Sequence, residues 1–376
     1  MKPTYGPSWP LALLLVCALY PLFPAVDAQL LRLTGRSLGD QMPTLFIFAV
    51  LALALNVVVG YVGILHLGIA AFFGLGAYVT GILTVPAYPF EMGFYVAVVA
   101  ATLVGALFGF LIGVPTLRLR GDYLALVTLG FGEVVRFSLR NLDAITAGTR
   151  GLNPVPPPVV PGLSLQWETD FRPFYYLTLL FLAGVYLLLS GLERSRLGRA
   201  WVAIREDELA ANCMGLNTGR LKLAAFVLSA ALAGLAGCLY ATKYTSTGFP
   251  DAYDFNRSVF MLCCLILGGI GSRNGVLLGV TLLFAFEYLL SPVVDERLQA
   301  MVGPPSEKTV DLFGGYTVTF AKEMQTFAGW RLFVFGVVLI LMMRFRPAGL
   351  LPANRVKEEL QTPAAPPVAS NDGGAA

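Results

Sequence analysis

The stretch Pro43-Thr-Leu-Phe-Ile-Phe-Ala-Val-Leu-Ala-Leu-Ala-Leu-Asn-Val-Val-Val59 carries no charged residue over 17 positions. A helix needs about 20 mostly apolar residues to cross the hydrocarbon core of a bilayer, so this stretch has the composition of a membrane span and nearly its length. Similar runs bring the number to ten: Trp9–Val26, Pro43–Val59, Gly63–Val85, Phe94–Val114, the more polar Asp122–Leu139, Phe174–Leu192, Leu221–Ala241, Val259–Ile270, Val276–Leu290 and Trp330–Met343. The pattern predicts an all-α, polytopic membrane protein with about ten transmembrane helices.

The composition of the 376-residue chain agrees with this prediction, because 56% of the residues are hydrophobic and only 13% are charged. A soluble domain carries about 25% charged residues, so a soluble enzyme, a disordered chain and a nucleic-acid binder all fit poorly. The net charge of +3 indicates no polyanionic partner. Five cysteines without a CxxC spacing and a single histidine, His66, predict neither a disulfide scaffold nor a metal site.

The chain divides into three parts. Residues 1–40 hold the first apolar run and an external linker, and the small residues around Ala25-Val-Asp-Ala28 leave two readings open, an uncleaved first span or a cleaved secretory signal. Residues 41–351 form the transmembrane domain. Residues 352–376 are rich in proline, alanine and glutamate and cannot bury a core, so we expect a disordered cytosolic tail.

Lysine and arginine set the expected orientation of the spans. Arg118, Arg120 and the cluster from Arg194 to Arg205 lie in short connections close to helix ends, where positive charge favours the cytosolic side. The two long connections on the other side, Asn141–Arg172 and Ser291–Gly329, are rich in proline and glycine and hold several acidic residues. This pattern predicts that both the N-terminus and the C-terminus lie inside.

Small residues recur at four-residue intervals in two of the runs. The sets are Gly105, Gly109 and Gly113 in the fourth run, and Ala230 with Gly234 and Ser229 with Ala233 and Gly237 in the seventh. This spacing lets helix backbones approach closely, which is how transmembrane helices pack. We expect helix crossings at these positions rather than a ligand site.

The third run is unusual, because five glycines and His66 interrupt it. A broken helix at membrane depth is typical of substrate pathways, since its freed backbone groups need water or protein partners. The candidate pathway-lining residues are His66, Gly68, Gly74, Gly76 and Tyr78. His66 itself has two readings, a proton relay or a hydrogen bond to a neighbouring helix.

Few ionisable residues lie in the apolar runs. Glu133 and Arg136 are three residues apart and are expected to pair, and Glu287 lies in the ninth run. A secondary transporter or channel coupled to ions would show several carboxylates and histidines at mid-membrane depth, so this class is the less favoured alternative. The sequence has no GxSxG, Walker A or HExxH motif, which argues against an enzyme and predicts no catalytic residue and no cofactor.

A charged connection, residues 193–222, follows the sixth run and is expected on the cytosolic side; we call it the docking segment. Its centre, Ala200–Leu216, is predicted to be a short helix ended by Gly215. Trp201, Ile204 and Leu209 offer apolar contacts beside four consecutive charged residues. The segment is either a solvated linker or a docking element for a soluble partner, since a short helix with apolar anchors and charges suits a groove.

The sequence resembles the permease subunits of bacterial branched-chain amino acid ABC importers, of the LivM type within the LivH/LivM family. The matching stretches begin with Gly60-Tyr-Val-Gly-Ile-Leu-His-Leu-Gly68, Ala71-Phe-Phe-Gly-Leu-Gly-Ala-Tyr78 and Leu117-Arg-Leu-Arg-Gly-Asp-Tyr-Leu-Ala-Leu-Val-Thr-Leu-Gly-Phe-Gly-Glu133. They continue with Gly198-Arg-Ala-Trp-Val-Ala-Ile-Arg-Glu-Asp-Glu-Leu-Ala-Ala211, Gly268-Gly-Ile-Gly-Ser-Arg273 and Arg346-Pro-Ala-Gly-Leu350. These stretches cover most of residues 41–351. His66 stands where the family commonly has serine.

The resemblance implies an ABC-importer permease bundle in the bacterial inner membrane. It implies a second, LivH-like permease subunit, cytosolic ABC ATPase subunits and an external solute-binding protein as partners, with membrane lipid around the bundle. It also implies that the docking segment contacts the ATPase through Trp201, Ile204, Arg205, Glu206, Glu208, Ala210, Ala211 and Gly215. A urea- or amide-specific permease of the same family is the alternative for the solute.

Overall fold

The computed structural model describes residues 19–22, 37–116, 122–159, 167, 170–302, 308–312, 316–320, 330–346 and 349–351. Its helices are α1 (Leu38–Asn56), α2 (Ile69–Thr84), α3 (Phe94–Thr116), α4 (Asp122–Asn141), α5 (Asp143–Thr146), α6 (Arg172–Arg194), α7 (Arg196–Glu206), α8 (Glu208–Cys213), α9 (Thr218–Lys243), α10 (Phe255–Gly268), α11 (Arg273–Phe284), α12 (Ser291–Val302) and α13 (Arg331–Phe345). The π-helices Val57–Val62 and Ala285–Leu290 extend α1 and α11.

The predicted helical class is confirmed, and most runs lie within a few residues of an observed helix. Five described helices are long and apolar enough to cross a membrane: Leu38–Val62, Phe94–Thr116, Arg172–Arg194, Thr218–Lys243 and Arg273–Arg297. The predicted number of about ten spans is therefore not confirmed. The first run lies outside the described residues except for 19–22, and so does the predicted tail from residue 352 onward.

One prediction for a long connection is incomplete. The stretch Ser291–Gly329 was expected to be an external loop, but it begins with α12 and contains two antiparallel strands, β1 (Lys308–Leu312) and β2 (Tyr316–Phe320). Lys308 pairs with Phe320 and Leu312 with Tyr316. The β-branched residues on either side of Gly314-Gly315, which are Thr309, Val310, Thr317, Val318 and Thr319, are a hairpin signal in the sequence.

Helix α1 lies at the centre of the bundle. Its residues from Leu45 to Asn56 are all buried, and α6, α9, α10 and α11 pack around it. A helix that is apolar on every side can be stable only where neighbouring helices or lipid surround it. The uncharged stretch that indicates the fold class is therefore also the core of the fold.

The predicted small-residue crossings are confirmed. A Cβ added to Gly105 would lie 2.5 Å from the carbonyl oxygen of Ala230, and one added to Gly109 would lie 2.5 Å from the Ala230 Cβ, so α3 and α9 are in backbone contact. On another face of α9, Gly237 meets the carbonyl oxygen of Phe73 in α2. Glycine at these positions lets three helices pack without space for side chains between them.

The bundle has two ends, which we name by their contents. The segment end holds the docking segment, the turn between α10 and α11, and residues 349–351. The loop end holds the turn after α2, residues 147–155 and the connection after α9, where Leu152 and Thr247 exchange backbone and side-chain hydrogen bonds. Basic residues predicted to be cytosolic gather at the segment end, among them Arg194, Arg205, Arg273 and Arg346.

Candidate functional site: the docking segment and the interrupted helices

The docking segment forms two short helices rather than the one that its sequence predicts. Ser195 caps α7 by accepting a hydrogen bond from the Gly198 amide at 3.3 Å. Asp207 separates the helices, because its extended backbone ends α7 while its carboxylate accepts hydrogen bonds from the amides of Leu209 (2.8 Å) and Ala210 (3.0 Å) at the start of α8. The predicted turn at Gly215 is confirmed, with a left-handed φ of +84° that favours glycine.

Three predicted docking residues are buried against the bundle. Trp201 is 1% exposed and donates from Nε1 to the carbonyl oxygen of Leu221 at 2.8 Å, and Ile204 is 5% exposed. Ala211 on α8 is also buried. These side chains hold the segment against the bundle, so they are not available to a partner in this conformation.

Arg205 joins the docking segment to two other regions at the segment end, the π-helix that extends α1 and the turn between α10 and α11. Its Nη1 donates to the carbonyl oxygen of Gly60 at 2.6 Å, in the π-helix that extends α1. The same guanidinium lies against Gly271 in the turn between α10 and α11, and the Gly271 amide donates to Asn56 Oδ1 at 3.0 Å. One side chain therefore links the segment to α1 and to the α10–α11 turn.

Other residues form the outer surface of the docking segment. Glu206, Glu208 and Ala210 are exposed, and so are two large apolar side chains, Leu209 (74%) and Met214 (83%). Glu208 also forms an ion pair with Lys222 at 2.5 Å. Leu209 was expected as an apolar contact, whereas Met214 was missed, because the sequence does not show which residues the bundle covers.

Two of the stretches that carry the family resemblance, Gly268–Arg273 and Arg346–Leu350, are in contact at the segment end. The amides of Leu350 and Leu351 donate to the carbonyl oxygens of Leu267 (3.0 Å) and Gly268 (2.9 Å). Gly349 packs on Gly269, and both have positive φ. Residues 349–351 thus close over the α10–α11 turn.

Arg273, which follows that turn, forms an ion pair with Glu193 at 2.7 Å. The turn is therefore also tied to the end of α6, next to the docking segment. Together with Arg205, this contact makes the segment end a continuous network of polar contacts.

The third apolar run is interrupted, as its glycines and histidine predict. Residues 63–68 are not helical, and α2 begins only at Ile69. The amide of Leu67 donates to Thr128 Oγ1 at 3.1 Å and that of Ala70 to Ser258 Oγ at 3.2 Å. Side chains of α4 and α10 therefore satisfy part of the backbone that the break exposes.

His66 is 2% exposed, and its ring lies between those of Phe72 and Phe226, with centroids 5.8 Å and 4.8 Å away. Among the described residues, its Nδ1 has no hydrogen-bond partner. The sequence-based reading as a hydrogen bond to a neighbouring helix therefore finds no support at this atom. In the part of the chain that the structure describes, the two aromatic rings beside His66 also provide no polar partner for a relay.

The remaining pathway-lining candidates make close contacts within the chain. A Cβ added to Gly68 would lie 2.3 Å from the carbonyl oxygen of Thr128, and one added to Gly76 would lie 2.1 Å from that of Gly234. A Cβ on Gly74 would lie 2.9 Å from the ring of Tyr253, and the Tyr78 hydroxyl donates to the carbonyl oxygen of Gly248 at 3.2 Å. Packing accounts for all four of these residues.

The polar contacts of α4 and α10 involve more charged residues than the apolar runs contain. The predicted Glu133–Arg136 pair is confirmed at 2.7 Å, and Arg136 also binds Asp251 at 2.6 Å. Arg257, in the first turn of α10, lies 5.0 Å from the ring centroid of Phe48 and was missed because the eighth run was started at Val259. Within the described residues, no group of three or more His, Cys, Asp or Glu could hold a metal ion.

Comparison with known proteins gives consistent matches. A family model described as the branched-chain amino acid transport system / permease component matches residues 40–343. The chain is 37% identical to the high-affinity branched-chain amino acid transport system permease protein LivM of Salmonella typhimurium, over 88% of this chain and 73% of the relative. The LivM protein of Escherichia coli is also 37% identical, over 89% and 74%.

More distant relatives include the LivH permease protein of Escherichia coli, 25% identical over 68% of this chain and 85% of the relative. No solved structure matches. The family match and the apolar helices show a multi-pass membrane protein, and the chain belongs to the branched-chain amino acid transport system permease family.

Proposed function

We propose that this chain is the LivM-type permease subunit of an ATP-driven importer that moves branched-chain amino acids across the bacterial inner membrane. Cytosolic ATPase subunits, a second LivH-like permease and an external binding protein complete the importer. The relatives that carry these names support the solute class and the second permease. The sequence itself contains no Walker A motif, so the energy comes from another subunit.

The docking segment carries the proposal for the ATPase. Its inner side is fixed to the bundle by Trp201, Ile204 and Arg205, while Leu209 and Met214 stand out at 74% and 83% exposure beside Glu206 and Glu208. A fixed element with exposed apolar anchors among charges suits a groove on a soluble partner. A solvated linker has no need of a buried tryptophan or of a hydrogen bond to the bundle.

The positions of the basic residues also indicate how the protein is oriented in the membrane. Basic residues gather at the segment end, which favours the cytosolic side under the positive-inside rule. We therefore infer that both termini lie inside and that the loop end faces the binding protein.

Co-purification of the ATPase with single variants tests the docking surface. Glu208→Arg should break the Lys222 ion pair and present the wrong charge, and Leu209→Asp should remove an apolar anchor, so both should reduce ATPase recovery and uptake together. Val159→Asp is the matched control, because Val159 is 77% exposed on the loop end. Unchanged recovery and uptake in both docking variants would leave the segment a linker.

A further inference from the structure

One face of the molecule is charged where a membrane protein is normally apolar. It consists of Glu133 and Arg136 on α4 and of Asp251, Asp254 and Asn256 in the segment that leads into and begins α10; we call it the charged face. Asp251 is 56% exposed, Glu133 29% and Arg136 18%, counting side chains alone. Asn256 is also exposed. The face is thus open at the surface of the single chain.

Two independent registers place this face between the two ends of the bundle, and so at membrane depth in a bundle that spans the bilayer. Along α4, a helix of 20 residues and about 30 Å, Glu133 and Arg136 lie about 16 Å and 21 Å from Asp122 at the usual rise of about 1.5 Å per residue. Along α2, Gly74 lies ten residues, or about 15 Å, before Thr84 at the loop end, and Gly74 is the residue on which Tyr253 packs. Residues 250–254 therefore dip toward the middle of the bundle.

Lipid cannot cover such a surface at low cost. A charged side chain at the bilayer centre is costly even on the mildest transfer scales. Helix α10 also begins at this depth, after the short 3-10 turn Pro250–Tyr253. Irregular backbone at membrane depth occurs only where protein buries it or where it lines a water-filled cavity.

We propose that the charged face is a wall of the water-filled transport route and the place where a zwitterionic amino acid is held during its passage. This inference rests on the proposed function and adds the position of the solute. The Arg136 guanidinium, which already accommodates two carboxylates, suits the carboxylate of the solute by exchange with Asp251. The released Asp251 carboxylate then faces the ammonium group.

The neighbouring side chains suit the rest of such a solute. Phe249 and Phe255 belong to the same segment and are 65% and 38% exposed, and the ring of Phe137 lies 4.6 Å from the Arg136 guanidinium. These rings offer apolar surface for a branched side chain next to the two charges. A route for inorganic ions would not need this apolar surface.

Thiol accessibility tests the route directly. In a full-length chain whose five cysteines are replaced, assembled with its second permease, Asn256→Cys is treated with a charged, membrane-impermeant methanethiosulfonate. Leu103→Cys is the matched control, because Leu103 is 63% exposed at a similar depth on the apolar face of α3. We expect modification at residue 256 to be on the order of tenfold faster or more, since the reagent must be hydrated to react.

Protection by the solute tests the binding role. Leucine should slow modification of Asn256→Cys when Arg136 is present and should no longer do so in an Arg136→Gln background, each rate being compared with the leucine-free rate of the same variant. Arg140→Gln is the control, because Arg140 lies 3.8 Å from Asp251 and is 45% exposed. Equal rates at residues 256 and 103, absence of protection, or protection that survives Arg136→Gln would each overturn the proposal.

The measurement needs no ATP, so its outcome is separable from that of the proposed function. Protection by leucine in a complex that fails to use ATP would sustain this site and reject the importer. ATP-driven uptake without protection by leucine would sustain the importer and reject this site.

Discussion

At the scale of single residues, Gly215 tests whether the return turn of the docking segment matters. Its φ of +84° disfavours side chains, while a Cβ there would lie within 4 Å of no atom in the described part of the chain, so a substitution acts first through the backbone. Gly215→Val should distort the turn at a cost of about 1–3 kcal/mol and weaken ATPase association at a normal membrane level. Gly215→Asn, which tolerates this conformation, should keep both association and uptake.

Arg205 gives the second prediction at this scale. Arg205→Ala removes the donor to the Gly60 carbonyl oxygen, and a buried group left without its partner costs about 1–3 kcal/mol. Since Arg205 faces the bundle, we expect the ATPase to co-purify and hydrolyse ATP while uptake falls. The exposed Arg196→Ala is the control. Loss of ATPase binding in Arg205→Ala would show instead that Arg205 faces the partner.

These residues also show where sequence reasoning stops. Gly215 was predictable, because a glycine after a helical stretch indicates a left-handed C-terminal turn. The inward direction of Trp201 and Arg205 was not, since it depends on carbonyl groups at Leu221 and Gly60, 20 and 145 positions away in the chain. Amphipathic spacing marks residues that need a partner but does not say whether the partner is the same chain.

At the scale of helices, the crossing between α3 and α9 predicts opposite effects for two similar substitutions. Gly105→Ala would place a Cβ 2.5 Å from a backbone oxygen, so the helices must separate, and we expect a loss of about 1–3 kcal/mol. In Gly184→Ala in α6, the new Cβ would have no described atom within 4 Å, and the change should stabilise the helix by about 0.5–1 kcal/mol. Thermal unfolding in detergent measures both. Equal shifts would contradict a crossing held together by close backbone contact.

Helix positions followed well from apolar runs because each helix needs enough apolar length, whatever its neighbours. The fourth run, Phe94–Val114, became α3 at Phe94–Thr116. The eighth run begins at Val259, whereas α10 begins at Phe255, because the polar residues Asn256 and Arg257 do not look like the start of a membrane helix. Those polar residues are tolerated because α10 begins inside the bundle, which only the long-range contacts of residues 250–254 reveal.

At the scale of the whole molecule, the two ends should label from opposite sides of the membrane. Single cysteines at Arg194, Arg205 and Arg346 should react with an impermeant reagent only after the cells are opened. Cysteines in the Pro154–Pro161 loop should react in intact cells, or in spheroplasts where an outer membrane is present. External labelling near residue 205 would invert the proposed topology and remove the ATPase from the docking segment.

The most direct test of the central claim is solute accumulation in proteoliposomes that contain this chain with its second permease and its ATPase, with the binding protein on the opposite side. We predict accumulation that needs ATP and persists when the proton gradient is collapsed at constant ATP, because energy enters through the docking segment. Accumulation driven by an ion gradient in vesicles that contain this chain alone would contradict the claim.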